Sequence, residues 1–162
     1  MKAVGSRIEE LHQVPGAIHD HEKSALVITL DDRLMPIGSM SHFVVTNYPE
    51  LHAIIKSARS NYSSFYDTDD SIIKAIRVCG PYYNKYAAVY AVILYRSTSP
   101  HAERNSDLIH GVLDALHKNI QYDKLSRVIM PRIGAECGLN WLRIIKPQVE
   151  EIFADMNVSV SY

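Results

Sequence analysis

Val128-Ile129-Met130-Pro131-Arg132-Ile133-Gly134-Ala135-Glu136-Cys137-Gly138-Leu139-Asn140-Trp141 is the stretch on which the fold turns. Val128 to Met130 read as a short buried strand, closed by Pro131. Beyond Trp141, residues Leu142 to Met156 predict a helix whose buried side carries Ile145, Val149, Ile152, Phe153 and Met156. Two glycines four apart, Gly134 and Gly138, lie in between. Without a side chain, each lets the backbone approach a ligand closely, and amides aimed at a helix start can bind phosphate. The same glycines would also serve a tight strand-to-helix turn that binds nothing.

Moving outward, Val158, Val160 and Tyr162 alternate with Ser159 and Ser161, which is strand spacing. Upstream, Leu108, Ile109, Val112, Leu113, Leu116 and Ile120 mark one face of a helix over Asn105 to Ile120. Tyr86 to Tyr95 and Ile72 to Val78 read as strands, with a turn at Gly80-Pro81-Tyr82-Tyr83-Asn84. Ser60 to Asp70 reads as a surface loop. Ser24 to Leu30 predicts a buried strand. Met40 to Ser57 predicts two short helices, the second opening at Pro49 and running to about Ala58. The run of strand, helix, strand, helix, strand from Tyr86 onward predicts an α/β sandwich with a mixed, mostly parallel sheet. In such open sheets ligands sit beyond the carboxyl ends of the strands, where Pro131 to Gly138 falls.

The chain has 162 residues, suited to a single domain over residues 1–162. With 17 Lys and Arg against 18 Asp and Glu, its net charge of −1 lacks the basic excess of a nucleic-acid binder. The two cysteines, Cys79 and Cys137, do not make a secreted framework. The opening residues lack the apolar run of a signal peptide, and no segment reaches the roughly 18 apolar residues of a membrane span. The expectation is a soluble, cytoplasmic protein without a membrane partner.

The longer pattern is more specific than the glycines alone. Met130-Pro131-Arg132-Ile133-Gly134, Leu139-Asn140-Trp141, a helix and Asn157-Val158-Ser159-Val160-Ser161-Tyr162 resemble the C-terminal third of the macrodomain family. The likeness is greatest to the small branch that includes terminal ADP-ribose protein glycohydrolases. Leu34-Met35-Pro36-Ile37-Gly38-Ser39-Met40 followed by Tyr48-Pro49-Glu50-Leu51 looks like a worn version of a second family segment. The resemblance implies a three-layer α/β/α sandwich that binds ADP-ribose or an ADP-ribosylated substrate at the sheet's carboxyl edge. Nucleic acid would enter only as a modified substrate, and no cofactor is implied. By this resemblance the loop around Ile133 to Leu139, with Ile133, Gly134, Ala135, Cys137, Gly138 and Leu139, would cradle the diphosphate, and Pro131 and Arg132 would also bind the ligand. Met35, Gly38 and Ser39 would close over the distal ribose, and Leu30 and Asp31 would floor the site.

The departures bear on activity. Family members often carry Gly-Asp where this chain has Gly5-Ser6. Pro36 replaces a loop glycine and removes an amide. Tyr95-Arg96 stands where the hydrolytic branch has a lysine, and an arginine cannot act as an amine nucleophile. The glycine loop is about one residue shorter, and Glu136 is its only carboxylate. Glu136 and Arg96 are therefore the candidate catalytic residues, Glu136 as general base and Arg96 as a charge stabiliser. The implied activity is ADP-ribose 1″-phosphatase or ADP-ribosyl hydrolase. A non-catalytic reader of ADP-ribose and an interaction scaffold are the alternatives.

Other residues compete for a role. His12, His19 and His21 lack the cysteines of a zinc site, so no metal is expected. His110 and His117 read as helix-surface residues. Asp67, Asp69 and Asp70 lack the Gly and Glu of a calcium loop. Cys137 with a histidine would make a nucleophilic pair. Tyr86 and Tyr90 would share one strand face, for core packing or for stacking on a base.

Overall fold

The computed structural model describes residues 9–11, 24–59, 72–76 and 88–161. Its elements are β1 (Glu9–Leu11), β2 (Ser24–Leu30), α1 (Ser39–Asn47), α2 (Pro49–Arg59), β3 (Ile72–Ile76), β4 (Ala88–Ile93), α3 (Asn105–Tyr122), β5 (Arg127–Pro131), α4 (Lys146–Ile152) and β6 (Asn157–Ser161). Six strands form one sheet in the order β1-β6-β5-β2-β4-β3. Every pairing is parallel except β3 against β4. The predicted mixed, mostly parallel sheet is thus the observed one.

A mostly parallel sheet must be covered on both faces, and its central strands show how. On β2, Ala25 and Val27 join one core while Leu26, Ile28 and Leu30 join the other. On β4, Tyr90 and Val92 face the first core, and Val89, Ala91 and Ile93 the second. α3 covers the first with Ile109, Val112, Leu113, Leu116 and Ile120, beside Val149 of α4 and Phe153 just after it. α1 and α2 cover the second with Met40, Val44, Leu51 and Ile55. Helices on both sheet faces make the three layers.

The helix expected over Leu142 to Met156 is divided. Trp141–Ile145 form a π-turn, and the α-helix proper begins at Lys146 with Pro147 in its first turn. Proline lacks the amide a helix interior would need, so it belongs at a helix start. The Asn140 side chain accepts from the Arg143 amide (3.0 Å) and caps the π-turn. Sequence reading missed β1, which lies on the outer edge of β6. The residues named at Gly5-Ser6, His12, His19, His21, Ser60 to Asp70, Cys79, Gly80 to Asn84, Tyr86 and Tyr162 lie outside the described residues.

Tyr90 is fully buried in the core, and its hydroxyl donates to the Asp123 carboxylate at the opposite end of β4 from the candidate site. Burial and this carboxylate push the phenol far above its ordinary range. It packs the core and is not offered to a base. Among the described residues no helix is long and apolar enough to cross a membrane.

Candidate functional site

The loop from β2 to α1 is built on one carboxylate. Asp31 is buried, and its Oδ1 accepts from the amides of Arg33 (2.8 Å) and Met35 (2.9 Å). Its Oδ2 accepts from Arg96 Nε at 2.6 Å, and Arg96 Nη2 donates to the Pro36 carbonyl at 2.8 Å. A guanidinium can hold two acceptors at once in a fixed plane, which an ammonium cannot do in the same geometry. Arg96 therefore ties the loop to the residues after β4. The Ile37 amide returns to the Thr29 carbonyl (2.9 Å), and the Thr29 amide donates to Ser41 Oγ (2.8 Å). These bonds deliver the chain to Gly38, whose φ of 89° and ψ of 159° belong to a region that glycine almost alone adopts. α1 starts at the next residue.

The opposite wall is the loop after β5. Four of its amides bond within the loop: Ile133 to Pro131, Ala135 to Arg132, and both Cys137 and Leu139 to Gly134. These four hold the loop's shape and are not the amides that would face a phosphate. Gly134 and Gly138 are both left-handed, with φ of 85° and 86°. Asn105 joins this loop to the strand end beside it. Its buried amide bonds both Tyr95 backbone groups (3.0 and 2.7 Å) and the Cys137 carbonyl (3.3 Å).

Between the two loops is a cavity of about 200 Å³, lined by Thr29, Ile37 to Met40, Pro131, Arg132 and Gly134 to Cys137. Of the predicted site residues it gathers Gly38, Ser39, Pro131, Arg132, Gly134, Ala135, Glu136 and Cys137. Leu30 and Ile133 are fully buried core residues and do not line it. Asp31, Met35 and Arg96 line a neighbouring cleft with Arg33 and Thr98 to His101. Gly138 and Leu139 line a third hollow, which shares Cys137 with the first. Glu136 and Arg96, paired as catalytic residues by resemblance, thus border different cavities.

Ile37 and Met40 fall in the loop around Met35 to Met40 that the resemblance places over the distal ribose, whereas Thr29 was missed. Thr29 carries the sharpest signal, as the one hydroxyl among Leu26-Val27-Ile28-Thr29-Leu30 at the carboxyl end of a buried strand. It is 3% exposed, and its buried Oγ1 has no hydrogen-bond partner among the described residues. A buried hydroxyl without a partner costs about 1–3 kcal/mol, so an orphan at a cavity wall marks where a ligand's polar atom would be welcome.

Burial and the negative charge of Glu136 push the Cys137 thiol up to about 12. The thiolate is the nucleophilic form, so Cys137 is chemically quiet here. Among the described residues no cluster of His, Cys, Asp and Glu could hold a metal ion.

No family model matches the sequence, and no curated protein does. Solved structures do. The macrodomain of Thermus aquaticus DarG is 16% identical, with a TM-score of 0.70 over 96% of this chain and 97% of that one. A point mutant of the Oceanobacillus iheyensis macrodomain is 15% identical, with a TM-score of 0.72 over 99% and 87%. The same Oceanobacillus macrodomain solved with ADP is 14% identical, with a TM-score of 0.68 over 99% and 86%. Likeness over whole chains, with helices on both faces of a mixed sheet and a cavity at its carboxyl edge, gives the conclusion that this chain has the macrodomain fold.

Proposed function

We propose that the protein binds ADP-ribose or a close derivative in the cavity between the two glycine loops. The observation that carries this reading is the convergence of three features on one cavity. They are the uncapped amino end of α1, the loop from Gly134 to Cys137 and the orphan hydroxyl of Thr29. A helix amino end favours an anion and a glycine loop admits its close approach, which suits a diphosphate. The hydroxyl suits a neighbouring polar group of the ligand. A macrodomain of the same fold solved with ADP supports the same ligand class.

Calorimetric titration with ADP-ribose, using AMP and ribose 5-phosphate as controls, tests the reading. Ligand at about 100 times its dissociation constant adds roughly 2.7 kcal/mol of stability, a rise of several degrees in Tm for a domain of this length. No heat and no rise at millimolar ADP-ribose would refute it.

Hydrolysis at the distal ribose is the second reading, favoured by Glu136, the one carboxylate among the described residues that lines the cavity. It would orient a water as general base. Arg96 enters this chemistry as the residue that holds the loop, since Asp31 and Pro36 already engage its guanidinium. Turnover of ADP-ribose 1″-phosphate or of an ADP-ribosylated substrate by the wild type, lost in Glu136→Gln, would support it. Equal turnover by both would remove Glu136 from the role.

A further inference from the structure

Glu136 reaches from the loop after β5 to the loop before α1. Its Oε2 lies 2.6 Å from where a Cβ on Gly38 would stand, closer than real Cβ atoms come to a neighbour. The carboxylate thus occupies space that only glycine leaves open. Gly38 immediately precedes α1, a nine-residue helix whose amino end has no side-chain cap and no acidic residue in its first turn. Among the described residues the Glu136 side chain makes no ion pair and no hydrogen bond, with a side chain or with a backbone amide. Its carboxylate lies beside Gly38, where the positive end of the α1 dipole favours an anion. Thr29 lines the same cavity, and among the described residues its buried Oγ1 has no hydrogen-bond partner.

We propose that Glu136 is a clasp. In the ligand-free protein its carboxylate stands in for a ligand's anionic group at the amino end of α1 and draws the two loops together across the cavity mouth. A phosphate-bearing ligand must displace it, and the displaced carboxylate then repels that ligand. Glu136 therefore weakens anionic ligands selectively, which makes it a specificity-determining residue of the site. This rests on the ADP-ribose reading and adds to it a built-in competitor for the phosphate position.

The test uses the full chain with Glu136→Gln, which removes the charge and keeps the shape, and Glu136→Ala, which removes the side chain. Glu136 is exposed, so both fold. In the ligand-free protein, Glu136→Ala should move the amide NMR signals of Gly38, Ser39 and Met40 across the cavity. Unmoved signals overturn the clasp whatever ADP-ribose does. Glu136→Gln should bind ADP-ribose about two- to fivefold more tightly than wild type at low salt. That gain should shrink as salt is added, while uncharged adenosine should gain nothing. Wild-type binding without tightening in Glu136→Gln overturns the clasp and leaves the ADP-ribose reading intact. An equal gain for adenosine overturns it as well, because the effect would then be steric. Shifted amides with no ADP-ribose binding by any variant would defeat the ADP-ribose reading and, with it, the competitor role.

Discussion

Arg96→Ala should loosen the whole β2–α1 loop, and the structure sets the size of the effect. The substitution removes two bonds, the 2.6 Å contact with Asp31 and the 2.8 Å contact with the Pro36 carbonyl. A hydrogen bond to a charged group contributes about 1.5–3 kcal/mol, and both bonds here use the charged guanidinium. The arginine side chain is 42% exposed and the aspartate 6%, so water screens the guanidinium from one side and each bond is reduced to about 1 kcal/mol. The expected loss is about 2 kcal/mol, or roughly 4–8 °C in Tm for a domain of this length. Asp31 keeps the Arg33 and Met35 amides, which prevents a larger loss. Arg96→Lys should recover only part of it, because a point charge on a flexible stem cannot serve both acceptors in one plane. Differential scanning calorimetry measures the stability, and ADP-ribose titration of the same samples tests whether a loosened loop binds more weakly. A Tm within about 1 °C of wild type, with unchanged affinity, would refute the assignment of Arg96 as the residue that holds this loop.

Gly134→Val should lower stability as well as binding. Its φ is 85°, and a Cβ there would lie 3.1 Å from Leu139 Cδ1. Urea unfolding should show a loss of about 1–3 kcal/mol, and a mutant as stable as wild type would contradict the left-handed backbone. Thr29→Val keeps the shape and removes the orphan hydroxyl. It should leave stability unchanged or raise it by up to about 1 kcal/mol while weakening ADP-ribose, and loss of stability with unchanged affinity would show that the hydroxyl has a partner in the protein. Cys137 should resist alkylation in the native state at pH 8, where only on the order of one thiol in 10⁴ is ionised, as peptide mapping after iodoacetamide would report. The sign for stability follows. The unfolded thiol ionises from about pH 9 while the folded one holds its proton to about 12, so this group's contribution to stability is present below pH 9 and lost between those values.

Much of the fold could be read without coordinates because periodicity records burial. The apolar steps of α3 and the unbroken aliphatic run of β2 each state how many faces an element hides. β1 left no such mark. It is three residues long, and its place is decided by pairing with β6, a contact made from the far end of the chain. The division of the last helix was carried by Pro147, whose missing amide could have been weighed against the period.

The site divides along the same line. The chain order alone put Gly134, Ala135 and Glu136 near the carboxyl edge of the sheet, because a loop that follows a parallel strand must emerge there, whereas Gly38 was placed by the resemblance. Resemblance placed Arg96 at the site as a charge stabiliser, and sequence spacing could not say which cavity it borders. Which of two adjacent cavities a side chain borders depends on where its hydrogen bonds turn it. Asp31, 65 residues away, turns the Arg96 guanidinium toward the loop it anchors. Thr29 went unnoticed for the complementary reason. A hydroxyl in a strand is ordinary in sequence, and it becomes a site residue only when packing buries it without a partner. Composition, period and glycine placement thus determined the layers, the edge and the loops. Tertiary structure decided which polar atoms face one another across the cavity, because side-chain direction and desolvation arise only when distant segments meet.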